Sequence, residues 1–461
     1  MKRLKRSHEI DMTNGPIFSK IITFAFPLML TGILQLFFNA ADVVVVGKFA
    51  GSLALAAVGS TGSLVNLLVN VFIGISTGVN VLAARYYGSR QAHEMSRCVH
   101  NSILLSLILG VFVCIWGTLL STPMLRLMKT DPNVLPLASL YLRIYFLGVP
   151  ATVVYNFGAA VLRSIGDTDR PLRFLLIAGI VNVLLNLITV VGLHMSVAGV
   201  AIATAASQYV AAILVILCLM KSQGIYRLQL KKLRIYKDML IQTLQIGIPA
   251  GLQSTLFSVA NVTIQSAINS FGHVVMAGNS AAASVDGFIY VAMNSFYHAT
   301  LSFTSQNMGA KKYDRLNRVL FSCVGSVIAT GITISLLIYS FGPQLLSLYV
   351  SANDPDRDAV LAAGMVRLTY VGLPYFLCGL MEVVTGALRG IGKSWTPLII
   401  STIGACFFRI FWVSVVFRAF PSLEVLYWSY PISWLITPTA HFIALYLARR
   451  KMAAEIRSAA E

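Results

Sequence analysis

The 461-residue chain is 57% hydrophobic and only 11% charged, far below the roughly 25% charge of soluble domains. A water-soluble globule of this size needs more charge on its surface, so the exterior is read as apolar and facing lipid. The net charge of +18 invites a nucleic-acid reading, but the basic residues are distributed as a topology signal and no nucleic-acid partner is expected.

At about 20 apolar residues per bilayer-crossing helix, hydropathy predicts twelve spans and an all-α integral membrane fold. After the polar start MKRLKRSHEIDMTNG, the first span (Ile17 to Ala40) is of crossing length and lacks a small-residue cleavage pattern, so it is expected to be retained. It carries Pro27 and leads into the ladder Gln35, Asn39, Asp42, whose spacing of four then three shares one helix face. The second span (Leu53 to Ala83) holds Asn66 and Asn70, read as interhelical glue. The third (Ser96 to Leu120) and fourth (Leu137 to Leu162) follow, with Arg143 read as a snorkelling anchor at the outer end of the fourth. The fifth (Pro171 to Leu193) places Asn182 and Asn186 one turn apart, and the sixth (Ser196 to Met220) adds Thr204. The stretch KSQGIYRLQLKKLRIYKD alternates basic and apolar residues and is expected along the cytoplasmic face.

The seventh span (Leu240 to Ser270) contains Pro249, and the eighth (Val275 to Ser305) aligns Asp286, Tyr290 and Tyr297 on one stripe. A ninth (Asn317 to Phe341) precedes the tenth (Ala359 to Leu388), which carries Glu382, Thr385 and Arg389, with Arg367 taken as a second snorkelling anchor. The eleventh (Pro397 to Phe417) and twelfth (Leu423 to Leu447) complete the set. With the N-terminus inside, 27 Lys and Arg fall in inside segments and five outside, and three (Arg143, Arg367, Arg409) lie within spans. That bias puts both termini in the cytoplasm.

The chain repeats itself. Leu162-Arg-Ser-Ile-Gly-Asp-Thr-Asp-Arg-Pro171 matches Leu388-Arg-Gly-Ile-Gly-Lys-Ser-Trp-Thr-Pro397 at an offset of 226, and Arg143, Gly148 and Pro150 recur as Arg367, Gly372 and Pro374 at 224. Pro27 and Asn39 pair with Pro249 and Asn261 at 222, and Gly88 and Arg97 with Gly309 and Arg318 at 221. Six spans per copy give both halves the same direction of entry, so a pseudo-two-fold axis along the membrane normal relates two six-helix bundles. The expected organisation is an N-terminal lobe (1–220), a basic cytoplasmic linker (221–239) and a C-terminal lobe (240–461), facing each other across a cleft.

A carboxylate inside a span costs about 2.5 to 3.5 kcal/mol on insertion scales, so intramembrane acids are functional candidates by default. Only Asp42, Asp286 and Glu382 qualify. Around Asp42, the side-chain oxygens of Asn39, Asn182, Asn186 and Thr204 suit Na⁺ or a shared proton. Asp286 beside Tyr290 and Tyr297 suits a lipophilic cation, through charge and ring quadrupole. Pro27 and Pro249 interrupt two helices at matching points and are candidate hinges. No histidine, cysteine or glycine pattern points to an enzyme, a resident metal or an ATP site; the six cysteines read as small apolar fillers. The energy source is then an ion gradient, with no cofactor.

Twelve spans in two copies, the Pro27 helix leading into Asp42-Val-Val-Val-Val-Gly47, the repeated LRxIGxxxxP turns and QNMGAKKYDRLNR at 306–318 resemble the multidrug and toxic compound extrusion (MATE) family, bacterial branch. The resemblance implies a monomeric antiporter of the bacterial inner membrane, exporting amphipathic, often cationic compounds in exchange for H⁺ or Na⁺. It further implies that the family's acid of the first span is Asp42, its fifth-span pair Asn182 and Asn186, and its sixth-span threonine Thr204. The family pattern has Asp at the second of the pair, where this chain has Asn. Gln35, Asp286, Tyr290, Tyr297 and Glu382 are the expected substrate contacts. The alternative is a lipid-linked precursor flippase of the same superfamily.

Overall fold

The structure, a computed structural model, describes residues 9–458 apart from Lys129 and 352–354. The basic residues Lys2, Arg3, Lys5, Arg6 and Lys129, counted in the topology argument, lie outside the described residues. Backbone polar groups find no water in a bilayer core, so a spanning segment closes its hydrogen bonds within a helix. The described residues accordingly contain helices and connections, without a strand.

Twelve long helices succeed one another: α1 (Ile17–Ala50), α2 (Ser52–Gly88), α3 (Ala92–Leu127), α4 (Leu135–Ser164), α5 (Asp169–Gly192), α6 (Ser196–Lys221), α7 (Lys237–Asn269), α8 (His273–Gly309), α9 (Tyr313–Ser340), α10 (Arg357–Gly390), α11 (Trp395–Ala419) and α12 (Leu423–Ser458). Among the described residues, eleven are long and apolar enough to cross a membrane. The exception is α7, with 33 residues; Gln242, Gln245, Gln253 and Gln265 dilute its apolar character. Exposed side chains on the crossing helices are large and apolar, as in Ile108, Phe112, Ile115, Trp116 and Leu119 along α3, the lipid-facing exterior that the composition requires.

The repeat is written into the backbone. Gly51 and Gly272 take left-handed φ of 87° and 91°, Arg90 and Lys311 both take 57°, and Gly166 and Gly392 take 90° and 91°. Each pair is separated by the offset of the surrounding sequence match, so the sharp turns between helices recur in both halves.

Contacts group the chain into two compact units. The first comprises the segment up to Met12, Phe26–Gly251 and Gly309–Lys311; the second Thr13–Ala25, Leu252–Met308 and Lys312 onward. The division falls inside α1 and α7, within two residues of Pro27 and Pro249.

In the first unit α2 and α7 cross at backbone contact, through two glycine pairs each spaced by four. A methyl on Gly74 would strike the backbone of Gly251, one on Gly78 the carbonyl of Thr243, and one on Gly247 would stand 2.6 Å from the Ile75 Cα. Small-xxx-small faces of this kind let helices approach without a hydrophobic driving force. The connection after α6 is strapped to the start of α3: Gln229 N–H donates to His100 Nε2 and Tyr236 N–H to Asn101 Oδ1, both at 3.0 Å. Arg97 meets Asp238 at 2.7 Å and lies 4.7 Å over the Tyr236 ring. In the second unit the core is aromatic, with Tyr427, Tyr430 and Trp434 of α12 packed against Ile264, Ile268, Val371 and Met381.

Candidate functional site

Three intramembrane acids meet three different surroundings. Asp42, near the end of the α-helical part of α1, is half-buried. The α5 face turned toward it carries Asn182 and Asn186, 5% and 1% exposed. Asn186 Nδ2 donates to Asp42 Oδ1 at 2.6 Å and to Asn182 Oδ1 at 3.3 Å. Thr204 of α6 stands beside the same carboxylate, and Tyr141 of α4 lies within its electrostatic reach. One buried oxygen there, Asn186 Oδ1, has no hydrogen-bond partner among the described residues. No basic side chain pairs with Asp42 among the described residues. Both helices widen by an inserted residue close to this point, with π-helical turns over Val46–Ala50 and Leu187–Gly192, insertions that cluster at functional sites. Asn39 and Gln35 are exposed and join no part of this cluster by a hydrogen bond.

Asp286 of α8 is 2% exposed, and Arg367 Nε donates to its Oδ2 at 2.9 Å. Arg367 Nη1 also donates to Asn279 Oδ1, at 2.9 Å, and that oxygen accepts the Tyr427 hydroxyl at 3.0 Å. The reading of Arg367 as a snorkelling anchor is therefore corrected. The residue is 9% exposed because Asp286 of α8 compensates it, which makes burial cheaper than reaching the headgroups. Arg143, its counterpart, does stay exposed and donates to Thr122 Oγ1 at 3.1 Å.

Glu382 of α10 is half-buried and has no ion pair among the described residues. Arg389, two turns further on, instead donates to the Tyr297 hydroxyl at 2.6 Å and to Gln253 Oε1 at 2.7 Å. Tyr297 is thus buried and engaged, whereas Tyr290 on the same stripe is 42% exposed. Reading the sequence by single helices missed these cross-helix partners: Gln253, Asn279, Tyr427 and the buried His441 between Thr385 and Ser401. The available signal was three arginines inside spans that hold only three acids.

The MatE family model matches residues 27–188 and again 249–413, one stretch in each half. The chain belongs to the MatE family. Its MatE relatives include the probable multidrug resistance protein YoeA of Bacillus subtilis, 27% identical over 92% of this chain and 91% of the relative. A protein named FAD transporter from Shewanella oneidensis is 24% identical over 85% and 86%. The fold matches that of a multidrug resistance MATE family transporter, a protein solved in its outward-facing conformation, with a TM-score of 0.88, at 22% identity over 98% and 99% of the two chains. As a MatE protein the chain is a multi-pass membrane transporter of small molecules, in keeping with its eleven apolar crossing helices among the described residues.

Proposed function

We propose that this MatE protein is a secondary antiporter of the bacterial inner membrane, both termini cytoplasmic and working as a monomer. It exports amphipathic, often cationic compounds in exchange for H⁺ or Na⁺. Asp42 carries the reading: an acid on a crossing helix, held by the Asn186 amide, with no basic partner among the described residues. A carboxylate without a fixed counter-charge is stabilised by whichever cation enters, a proton on its oxygen or Na⁺ on several oxygens. Asn186 Oδ1, unpartnered among the described residues, and the Thr204 hydroxyl beside Asp42 are hard oxygen donors of the type Na⁺ takes. With a single acid in place of the family's two, each turnover is assigned one cation at this site.

When the exported compound is uncharged, one positive charge moving inward across 100 mV supplies about 2.3 kcal/mol, enough for roughly a 50-fold concentration ratio. Export of a monovalent cation in exchange for one such ion moves no net charge and is driven by the ion's concentration gradient alone. Exchange requires that ion and substrate reach the protein from opposite faces in turn, and Pro27 and Pro249, where α1 and α7 change units, are assigned as the hinges. Glu382, which has no ion pair among the described residues, and the exposed Tyr290 and Gln35 are assigned to substrate contact. Asp286 and Tyr297, already engaged by Arg367 and Arg389, are assigned to shaping that surface rather than to meeting a cation. Names such as multidrug resistance protein among the relatives support the substrate class.

The test is ethidium flux in proteoliposomes with proton and sodium gradients imposed separately. One of the two gradients should drive transport in the parental protein and neither in Asp42→Asn, checked for correct insertion. Parental flux by Asp42→Asn would remove the coupling role.

A further inference from the structure

The two halves treat one arginine position differently. Arg97 of α3 and Arg318 of α9 correspond at the offset of 221. Arg97 is neutralised twice, by Glu94 at 2.9 Å and by Asp238, at the start of α7, at 2.7 Å. At Arg318 both acids are absent: Arg315 takes the place of Glu94 at the same offset, and Pro16 that of Asp238 at the offset of 222. Phe321 and Ser322 likewise take the places of His100 and Asn101, which in the first unit accept backbone N–H groups of the strap.

A joint that is filled in the first unit is therefore open in the second. A cavity of about 650 Å³ lies between the start of α1 and the first turns of α9, with Pro16, Phe18, Arg315, Arg318, Phe321 and Ser322 in its lining. Small-molecule sites occupy roughly 300 to 1,000 Å³. Arg315 Nη2 donates to the Gly15 carbonyl at 3.0 Å, which fixes that guanidinium at the wall, and Arg318 is exposed. Neither has a carboxylate partner among the described residues, and Asp314, the acid of the first turn of α9, pairs with neither. Arg449 of α12 donates to the side chain of Asn317, which also lines the cavity, and adds a third positive charge. Phe18 and Phe321 are 60% and 65% exposed and carry the lining onto the apolar exterior. Both crossing helices begin here, so the cavity sits at the level where headgroups give way to acyl chains.

We propose that this cavity is a binding site for the phosphate of an anionic phospholipid. Arg315 and Arg318 take the phosphate through charge-assisted hydrogen bonds, in place of the two acids of the first unit, and Phe18 and Phe321 lie against the start of the acyl chains. A basic pocket between crossing helices at a membrane boundary is a setting in which lipid headgroups are held. Free phosphate would use the arginines and leave both rings idle. Bound to α1 and α9 together, the lipid fixes the entry of α1 within the second unit, as the bridge from Arg97 to Asp238 fixes that of α7 within the first. The site needs only that the chain spans a membrane and stands apart from the antiport reading.

The experiment titrates the full-length protein, stripped of lipid in detergent, with dioleoyl phosphatidylglycerol, dioleoyl phosphatidylcholine and inorganic phosphate, and reads occupancy by the first lipid in native mass spectra. The wild type should bind phosphatidylglycerol about thirtyfold more tightly than phosphatidylcholine, the factor that two cationic side chains supply against an anionic headgroup. Arg315→Gln combined with Arg318→Gln should abolish that preference. Lys231→Gln combined with Lys232→Gln, the same loss of charge from the exposed linker, should keep it. Equal affinity of the wild type for the two lipids overturns the proposal whether or not the variants fold, as does a preference unchanged in the folded arginine double variant or lost in the lysine one. Displacement of the lipid by an equal concentration of phosphate overturns the lipid assignment, since the anion alone is then recognised. Binding is read without a gradient, so absence of gradient-driven flux in proteoliposomes would overturn the antiport reading alone and leave this site standing.

Discussion

Asp42 and Asp286 are both aspartates on membrane-crossing helices, yet the protein answers them in opposite ways. In the first unit an amide and a hydroxyl surround Asp42, and the neighbouring Asn186 Oδ1 has no partner among the described residues. In the second unit a guanidinium grips Asp286, held in turn by Asn279 and by the aromatic faces of Tyr427 and Tyr430 at 5.9 and 5.8 Å. A carboxylate neutralised by a covalently attached cation has no reason to exchange a mobile one. A carboxylate met only by neutral dipoles does. In the proposed function, coupling is therefore assigned to the carboxylate that lacks a counter-charge among the described residues, and not to burial alone.

The contrast can be broken most forcefully at Arg367. Arg367→Met leaves Asp286 buried and uncompensated, and should lower stability in detergent by about 3 to 5 kcal/mol, read from thermal unfolding. Adding Asp286→Asn to it should recover most of that loss; if the double variant is as unstable as the single, the ion pair is not what the arginine supplies. The Asp42 side is sharpened by Asn186→Asp, which puts a second acid on the same cation. Half-maximal flux should then shift to about tenfold lower concentration of the coupling ion, the scale of one charge-assisted contact, and an unchanged ion dependence would separate Asn186 from the coupling site. Asp42→Asn should shift thermal stability by less than about 1 kcal/mol while losing coupled flux, because an amide keeps the hydrogen-bond contact with Asn186. The smallest effect belongs to Asp238→Asn, which breaks a bridge whose acid is 48% exposed; about 0 to 1 kcal/mol is expected, and a larger loss would make the strap on α3 a structural element in its own right.

Much of this was legible before any coordinates. Apolar runs of crossing length leave a helix as the one local solution in lipid, so the all-α fold and eleven of its twelve long helices follow from hydropathy, α7 being the exception. The repeat could be read because glycines at turns with positive φ, such as Gly166 and Gly392, tolerate little substitution. Helical spacing also put Asn182 and Asn186 on one face, and they do share one hydrogen-bonded cluster with Asp42. The same spacing put Tyr290 and Tyr297 on a stripe with Asp286, where the coordinates separate an exposed ring from a buried one. It put Glu382 within sight of Arg389, whose hydrogen bonds run to α7 and α8 instead.

The limit is one of dimension. Periodicity along a single helix decides which residues share a face, and composition decides that those faces lie in lipid or protein; both are properties of the chain read locally. Which face meets which other face depends on how several helices pack at once. The close crossing of α2 and α7 through Gly74 and Gly251, the compensation of Asp286 by Arg367 and the cavity beside Arg318 were decided only in the folded molecule. Charge interaction falls with distance and rises as water is excluded, and neither distance across helices nor exclusion of water is written in residue order.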